Sequence, residues 1–232
     1  MYVIGLISVV ALIFLVHSII PTYYNKLLNK EVLKNMAGEN EIALTFDDGP
    51  DKRYTEKLLD VLKENDIQAM FFVVAKNAEK EPEIIKRMLR ENHIVGLHSL
   101  EHKNAWFYSY SYVKKDFIES TNIMKNLGVD VNYYRPPWGH TNIFSNLFVK
   151  KYNLKMTLWD VMAEDWEKDS TVDIIINKLM SRTKESSIIC LHDAGENSGG
   201  AVGAPERTIE ALKIAIPKLK ASGLKFVTPE RM

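Results

Sequence analysis

The stretch ALTFDDGP, residues 43–50, ends an apolar run with two adjacent carboxylates and a Gly-Pro pair. Residues 42–46 predict a short buried strand, and the Gly-Pro pair predicts the turn that ends it. Asp47 and Asp48 therefore stand at the carboxyl end of this strand, with side chains that point to opposite sides. This placement favours two different tasks for the two acids, although aspartate also starts turns and caps helices.

Apolar runs of strand length recur along the chain and alternate with amphipathic stretches. Besides residues 42–46, the predicted strands are 69–74, 94–97, 133–135, 155–158, 188–191 and 225–227. Strands that alternate with helices imply a parallel sheet, and about seven of them predict an α/β fold with a distorted (β/α) barrel. Polar residues stand at or just past the carboxyl ends of these strands, namely Asp47, Asp48, His98, Arg135, Asp160 and His192. In such folds this edge of the sheet holds the active site.

Residues 3–20 contain no Lys, Arg, Asp or Glu. As a helix with a rise of about 1.5 Å per residue, they reach about 27 Å, close to the thickness of a bilayer core. The segment lacks the basic start and small-residue cleavage site of a signal peptide, and it is apolar on every face, unlike a typical core helix. The sequence therefore predicts an uncleaved transmembrane anchor at residues 1–20, a linker at 21–40 and a folded domain at 41–232.

The charges of the chain cancel, with thirty basic and thirty acidic residues among 232. No overall field attracts nucleic acid, and we expect no nucleic-acid partner. The single cysteine, Cys190, excludes an intramolecular disulfide and lies in the apolar run SIICL, which favours a small buried thiol. The oligomeric state stays open.

His98 and His102, in the stretch HSLEH, are four residues apart. This spacing places two imidazoles on one side of a helical turn and suits a divalent metal, with Asp48 as a third ligand. Two His and one Asp leave coordination positions open for water. The HExxH pattern of zinc proteases is absent, because Glu101 is the third residue of the interval rather than the first, so a peptidase is disfavoured.

Attack of activated water on an amide also needs a base and an acid. Asp47 adjoins a candidate ligand and is the candidate base, while His192 comes from another strand and is the candidate acid. The stretch RPPWG offers the backbone amide of Trp138 as a donor to the developing oxyanion, because Pro136 and Pro137 have no N–H.

Five motifs resemble, in order, those of the polysaccharide deacetylases of carbohydrate esterase family 4, which share the NodB homology domain. They are TFDDG at 45–49, HSLEH at 98–102, RPPWG at 135–139, EDW at 164–166 and LHD at 191–193. The resemblance covers residues 42–228, and ordered motifs on predicted strand ends support one another. It implies a NodB-type distorted barrel.

The resemblance also implies the roles of individual residues. Asp47 is then the general base and His192 the general acid, while Asp48, His98 and His102 bind a divalent ion, zinc or another such as cobalt. Arg135 supports the base, Asp165 supports the acid, and Trp138 and Trp166 line the substrate pocket.

Two positions depart from the family pattern. Met162 stands where the fourth motif has its first aspartate, and Cys190 stands where the fifth motif has an apolar residue, often leucine. We expect neither residue to touch a metal ligand or the acid and base, so the departures bear on pocket shape and substrate preference.

The sequence therefore predicts a membrane-anchored, metal-dependent hydrolase that removes N-acetyl groups from a polysaccharide or oligosaccharide, such as peptidoglycan or a chitin-like polymer. The alternatives are a catalytically silent carbohydrate-binding protein and a deacetylase of a small molecule or of O-acetyl groups. A cell-surface glycan requires the catalytic domain to lie outside the membrane. Lys26, Lys30 and Lys34 oppose this orientation, because basic residues beside an anchor favour the cytoplasmic side.

Overall fold

The computed structural model describes residues 2–229 of the chain. Residue 1 of the predicted anchor and residues 230–232 of the predicted domain lie outside the described residues. The sheet contains β1 (Glu41–Asp47), β2 (Met70–Val73), β3 (Ile94–Leu97), β4 (Tyr133–Tyr134), β5 (Lys155–Met156), β6 (Val161–Met162), β7 (Ile188–His192) and β8 (Lys225–Phe226). Seven strands follow the order β5-β4-β3-β2-β1-β7-β6, and β8 pairs with the start of β1.

All of these strand pairs are parallel, and the sheet curls into an incomplete barrel, so the predicted α/β barrel is confirmed. The strand that the sequence did not predict is β6. Its two residues are too few to show a period of two. Asp160, directly before β6, lies at the opposite edge from the one predicted, because its carboxylate accepts the backbone N–H of Ile188 at 2.7 Å, where β7 begins.

Seven α-helices of the described domain cover the sheet, and they are Thr55–Glu64, Ala75–Lys80, Pro82–Arg90, Tyr110–Asn126, Ile143–Lys151, Val172–Arg182 and Ala204–Ala221. Short 3₁₀ turns occupy Ala105–Phe107 and Pro137–Gly139. The side chains of β2 alternate between two clusters. Phe71 and Val73 join the large core under the helices, whereas Met70 and Phe72 belong to a smaller cluster. This alternation is the period of two that a strand imposes.

The N-terminal helix spans Val3–Leu28 and is long and apolar enough to cross a membrane. The most apolar 18 residues of this helix have a mean hydropathy of 2.8, and 6% of this stretch is buried. The helix contains π-helical turns at Leu15–Ile19 and Tyr24–Leu28.

The chain after this helix runs along the sheet. The N–H of Leu33 donates to the carbonyl of Met156 at 2.9 Å, and Leu33 forms a parallel bridge with Thr157, next to β5. Asn35 then bridges to Ser187, directly before β7. These bonds join part of the predicted linker to the barrel.

Candidate active site

The carboxyl end of β1 presents Asp47 and Asp48 in two different environments. Asp47 is the last residue of the strand, whereas Asp48 has a φ of 78° and begins the turn. Such a backbone conformation is uncommon for a residue other than glycine. Asn77 stabilises it by donating from Nδ2 to the carbonyl of Asp48 at 2.9 Å. This contact could not be predicted from the sequence, because residue 77 is far from any of the motifs.

Gly49 allows the turn to pack against a buried carboxyl. A Cβ at this position would lie 2.2 Å from Oδ2 of Asp193, so only glycine fits. Burial raises the pKa of Asp193 to about 7, even though the hydroxyl of Thr55 donates to it at 2.6 Å. Asp193 is therefore a further buried acid behind the site, and its role could not be predicted from the sequence.

Asp48, His98 and His102 converge on one point. Their ligand atoms all lie within 4.8 Å of one another. Oδ1 of Asp48 is 3.4 Å from Nε2 of His98 and 3.0 Å from Nε2 of His102. The predicted helical turn is wrong, since the segment is an irregular loop in which Ser99 and His102 have φ of 70° and 52°. The loop still brings the two imidazole rings to 5.1 Å between centroids.

The donors of this cluster fit a divalent cation. Nδ1 of His98 lies 2.7 Å from the carbonyl of Arg135, so it must carry the proton that it donates there. In the neutral ring, Nε2 then directs a lone pair toward the carboxylate of Asp48. Two imidazole nitrogens and a carboxylate that face one another need a shared positive charge, supplied by protons or by a metal ion. Burial disfavours the charge on Asp48, but the adjacent imidazoles of His102 and His98 hold the pKa of this carboxyl well below its usual range.

Arg135 is fully buried and lies against Asp47. Its Nη1 donates to Oδ1 of Asp47 at 2.7 Å and to the hydroxyl of Thr45 at 2.8 Å. Its guanidinium carbon also lies 4.1 Å from the ring centroid of Phe72. The arginine therefore fixes the carboxylate of Asp47 and balances its charge. Thr45 could have been found from the sequence, because alternation along β1 places it on the same side as Asp47.

Cys190 corrects one expectation of the sequence analysis. Its Sγ lies 3.4 Å from Oδ2 of Asp47, so the departure at this position does touch the candidate base. The reason is the register of the sheet, in which Thr45 is opposite Cys190 and Asp47 is opposite His192. The thiol is a weak donor to the carboxylate, and burial raises its pKa well above the usual value.

His192 lies beside Asp47, its partner in the register of β1 and β7, and is held by Asp165. Nδ1 of His192 is 2.9 Å from Oδ1 of Asp165, and Oδ2 of Asp165 accepts the backbone N–H of His192 at 2.9 Å. Thr208 donates to the same Oδ2 at 2.8 Å. Burial opposes a positive charge on His192, but the adjacent Asp165 carboxylate raises its pKa to about 9. The imidazolium is therefore the favoured form at neutral pH.

A cavity of about 140 Å³ joins these groups. Trp138 and Trp166 line it, and their rings lie 4.4 Å from His102 and 5.1 Å from His192, respectively, between centroids. The remaining walls include Trp159, Met162 and the loop 198–200. All nine residues predicted for the site thus lie at this edge of the sheet, either in the cavity wall or directly behind it.

Fold and site together define a class of parallel-barrel protein in which a buried aspartate and a histidine adjoin a candidate metal-binding group. The family model "Polysaccharide deacetylase" matches residues 34–157, which is more than half of the chain. The chain therefore belongs to the polysaccharide deacetylase family, and the prediction of a hydrolase that acts on non-peptide amide bonds is confirmed.

Curated relatives support the same family. A peptidoglycan-N-acetylglucosamine deacetylase of Bacillus cereus is 34% identical over 189 residues, which cover 81% of this chain and 66% of that protein. The peptidoglycan-N-acetylmuramic acid deacetylase PdaC of Bacillus subtilis is 29% identical over 227 residues, which cover 90% of this chain and 46% of that protein. The chain thus spans about two thirds of the first relative and under half of the second.

Among solved structures, the Bc1960 peptidoglycan N-acetylglucosamine deacetylase, in complex with a naphthalenyl N-hydroxybenzamide, superposes with a TM-score of 0.77. It is 32% identical, and the match covers 85% of this chain and 89% of that one.

Proposed function

We propose that the protein is a metal-dependent deacetylase that removes N-acetyl groups from a polysaccharide or oligosaccharide, with peptidoglycan as the preferred substrate class. The observation that carries this proposal is that Asp47 and His192, neighbours across β1 and β7 with side-chain ligand atoms within 4.8 Å of each other, adjoin the Asp48–His98–His102 cluster. The relatives named as peptidoglycan deacetylases supply the substrate class. A protein that only binds carbohydrate has no need of a buried base and an oriented acid.

Asp48, His98 and His102 would hold the divalent ion, zinc or cobalt, through one carboxylate oxygen and the two Nε2 atoms. When bound, such an ion supplies Lewis-acid chemistry, since it polarises a carbonyl and makes water more acidic. The protein fixes the direction of the His98 lone pair by binding Nδ1–H to the Arg135 carbonyl. Asn77 fixes the turn that aims Asp48.

Asp47 would act as the general base. Its Oδ1 accepts from Arg135, whereas Oδ2 accepts, among the described residues, only from the weak thiol donor of Cys190 and faces Nε2 of His98 at 3.9 Å. Oδ2 is therefore the oxygen that can take a proton from the attacking water. The arginine stops the carboxylate from rotating, which reduces the reorganisation that proton transfer requires.

His192 would act as the general acid toward the departing nitrogen. Because Nδ1 is bound to Asp165, the proton available for transfer is the one on Nε2. An amine is a poor leaving group unless it is protonated as the C–N bond breaks. The raised pKa of His192 keeps that proton on the ring at neutral pH, and Asp165 stabilises the charge until transfer.

The cavity suits a small acyl group. Its volume of about 140 Å³ accommodates an acetyl group and the attacking water, and the rest of the glycan would lie across its mouth. Trp138 and Trp166 supply apolar walls for the methyl group and for the sugar face.

The N-terminal helix would anchor the enzyme in the cell membrane, with the catalytic domain outside. Two of the three lysines that favour a cytoplasmic flank have structural partners in the folded protein. Lys26 donates to the carbonyl of Trp138 at 3.4 Å, and Lys34 donates to the carbonyls of Asn25 and Lys26 at 3.3 Å each, near the end of the helix. These contacts explain why lysines stand there whichever side of the membrane the domain occupies.

A panel of acetylated substrates tests the proposal. The purified full-length protein is incubated with peptidoglycan, acetylated chito-oligosaccharides and O-acetylated xylan, and both acetate and free amine are measured. We expect equal amounts of acetate and amine from the N-acetylated substrates. Acetate without amine would instead identify an O-deacetylase, and no acetate from metal-loaded, folded protein would support a silent binding protein.

A further inference from the structure

The N-terminal helix is held against the catalytic domain by its polar residues. Ser18, Thr22 and Asn25 are buried, and their spacing of four and three residues places them on one face of the helix. The hydroxyl of Ser18 donates to the carbonyl of Trp106 at 2.8 Å, and that of Thr22 donates to the carbonyl of Thr141 at 2.8 Å.

Further bonds extend this contact. Nδ2 of Asn25 donates to Oδ1 of Asn146 at 2.8 Å, and the indole N–H of Trp106 donates to the hydroxyl of Thr22 at 2.9 Å. Hydrogen bonds to buried partners fix both position and rotation, so the helix is a docked element of the domain rather than a flexible tether.

The opposite face of the same helical segment is apolar and exposed. It consists of Ile20, Tyr23, Tyr24, Leu27 and Leu28. A helix on a domain surrounded by water buries its apolar face and exposes its polar face. Here the arrangement is reversed, and exposed apolar area of this kind is unfavourable in water by about 25 cal/mol per Å². The outer face of the helix therefore fits an apolar surrounding.

The helix projects from the domain on the side of the active site. Lys26 lies at the level of Trp138, and Thr22 and Ser18 lie at the loops that follow β4 and β3. After the helix, the chain continues toward the opposite edge of the sheet, where Asn35 bridges to Ser187, directly before β7 begins. The N-terminal half of the helix thus extends beyond the edge where the strands end, which is the edge that carries the catalytic groups.

Exposed apolar side chains surround the helix where it leaves the domain. We call Phe107, Tyr110, Ile143 and Leu147 the apolar rim, and all four are exposed. The ring of Phe107 stacks on Phe14 of the helix at 6.0 Å between centroids.

The rest of the rim lies around Phe144. The ring of Phe144 lies 5.2 Å from His17 of the helix and 5.5 Å from Tyr110. Ile143 directly precedes Phe144 in the chain, and Leu147 lies one helical turn further along. The rim therefore continues the apolar surface of the helix onto the domain.

We propose that a lipid bilayer covers this whole surface, so that the docked helix and the apolar rim hold the mouth of the active site at the membrane. A hydrocarbon core of about 30 Å takes up about 20 helical residues, which places its boundary near Tyr23 and Tyr24 when the core begins at Val3. Tyrosines favour that boundary. Lys26 follows within two residues and binds the carbonyl of Trp138.

Trp138, at the cavity mouth, therefore lies within about 10 Å of the hydrocarbon, at the depth of the lipid headgroups. The depth of the cavity mouth determines which glycans can reach it, and this part of the inference rests on the proposed function. The enzyme acts on acetylated glycan that lies against the lipid surface or is attached to lipid, rather than on strands further from the membrane.

Fluorescent probes test the membrane contact without reference to activity. The full-length protein is reconstituted into vesicles of phosphatidylethanolamine and phosphatidylglycerol, and Phe107→Cys, Ile143→Cys and Ile214→Cys variants are labelled with an environment-sensitive fluorophore. Cys190 is fully buried and stays unlabelled in the folded protein. Ile214 is the matched control, because Ile143 and Ile214 are both 44% exposed and lie on different helices.

The proposal predicts blue-shifted emission at positions 107 and 143, quenched several-fold by lipids that carry a nitroxide on the acyl chain, and aqueous emission at 214. Emission at 107 and 143 that matches position 214 would overturn it. Blue-shifted emission that the nitroxide lipids do not quench would also overturn it, because a second copy of the chain would then cover the rim.

A charge variant tests the consequence for substrate choice. In vesicles, the rate on an N-acetylated oligosaccharide that is attached to lipid by a short tether is divided by the rate on the same oligosaccharide in solution. Ile143→Glu with Leu147→Glu should lower this ratio several-fold, and Ile214→Glu should leave it unchanged. An unchanged ratio in the double variant would refute the substrate inference. If neither substrate is hydrolysed, the proposed function fails, and the probes alone decide the membrane contact.

Discussion

Asp165 binds His192 at two points, with Oδ1 2.9 Å from the ring Nδ1 and Oδ2 accepting the backbone N–H at 2.9 Å. The carboxylate thereby fixes both the rotation of the imidazole and the nitrogen that carries the transferable proton. Asp165 is completely buried, so its charge acts on His192 with little screening by water.

The pH dependence of the rate should report this pair. As a general acid His192 must be protonated, and its pKa of about 9 predicts that kcat/KM falls as the pH rises through about 9. Asp165→Asn removes the charge that raises the pKa, so the alkaline limb should move toward lower pH and the maximal rate should fall. Thr208→Val is the control, since it removes a hydrogen bond to Asp165 but leaves the charge. An alkaline limb that stays in place in Asp165→Asn would contradict the assignment.

The same pair should contribute to stability in the metal-free protein. The pKa of His192 is higher in the folded state than the ordinary value of 6.5, so folding favours the protonated ring. Its contribution is fully present below pH 6.5 and is lost as the pH rises through about 9. Chemical denaturation of wild type and His192→Gln across this range should show a difference in the free energy of unfolding that shrinks with rising pH. If this difference grows with rising pH instead, folding lowers the pKa of His192 and the proposed interaction with Asp165 is wrong.

Asp47→Asn should separate the base from the metal site. The asparagine can still accept a hydrogen bond from Arg135 but cannot take a proton, so turnover should fall by about 10²- to 10⁴-fold with metal content unchanged. Metal content by elemental analysis and acetate release are measured on the same samples. If the variant loses its metal, Asp47 is a ligand and the division of labour between the two adjacent acids is wrong.

His98→Ala combined with His102→Ala should remove the metal. Wild-type protein should contain close to one equivalent of a divalent ion, since Asp48, His98 and His102 form one open three-ligand site, whereas the neighbouring group of Asp47, Cys190 and His192 is tied up by Arg135 and Asp165. His93→Ala is the control, because this buried histidine lies on the far side of the domain, where its Nδ1 accepts the backbone N–H of Ala69. Unchanged metal content and activity in the double variant would place the site elsewhere.

The positions of the site residues along the sheet could be predicted, because parallel strands end at one edge and Asp47, His98, Arg135 and His192 each end or follow a strand. The contact between Cys190 and Asp47 could not, because it depends on the register between β1 and β7. Residue spacing within one strand contains no information on register between strands that lie far apart in sequence.

Asp160 was misplaced for a similar reason. Sequence analysis extended β5 to residue 158, and this put Asp160 after a strand end. The strand stops at Met156, and the chain has already returned to the opposite edge when it reaches Asp160. The hydropathy of residues 3–20 likewise predicts an apolar helix, but the docking of Ser18 and Thr22 depends on loops that only the folded domain brings together.

Membrane orientation can be measured on whole cells. We expect the catalytic domain to be digested when protease is added to wall-stripped protoplasts, because its proposed glycan substrate lies outside. Deletion of residues 1–20 should release a soluble domain that still unfolds cooperatively and has lost only the helical signal of the deleted residues, because every strand begins at Glu41 or later. A domain that protease reaches only after lysis would require a cytoplasmic substrate.

Stoichiometric reconstitution tests the central claim most directly. Full-length protein is stripped of metal with a chelator and titrated with zinc or cobalt, while acetate and free amine released from an N-acetylated glycan are measured at each step. The account predicts no release before addition, a linear rise, and a plateau at one equivalent of ion per chain. Acetate release that is unaffected by complete removal of the metal would contradict the account. It would also be contradicted if fully metal-loaded protein released no acetate from any N-acetylated glycan.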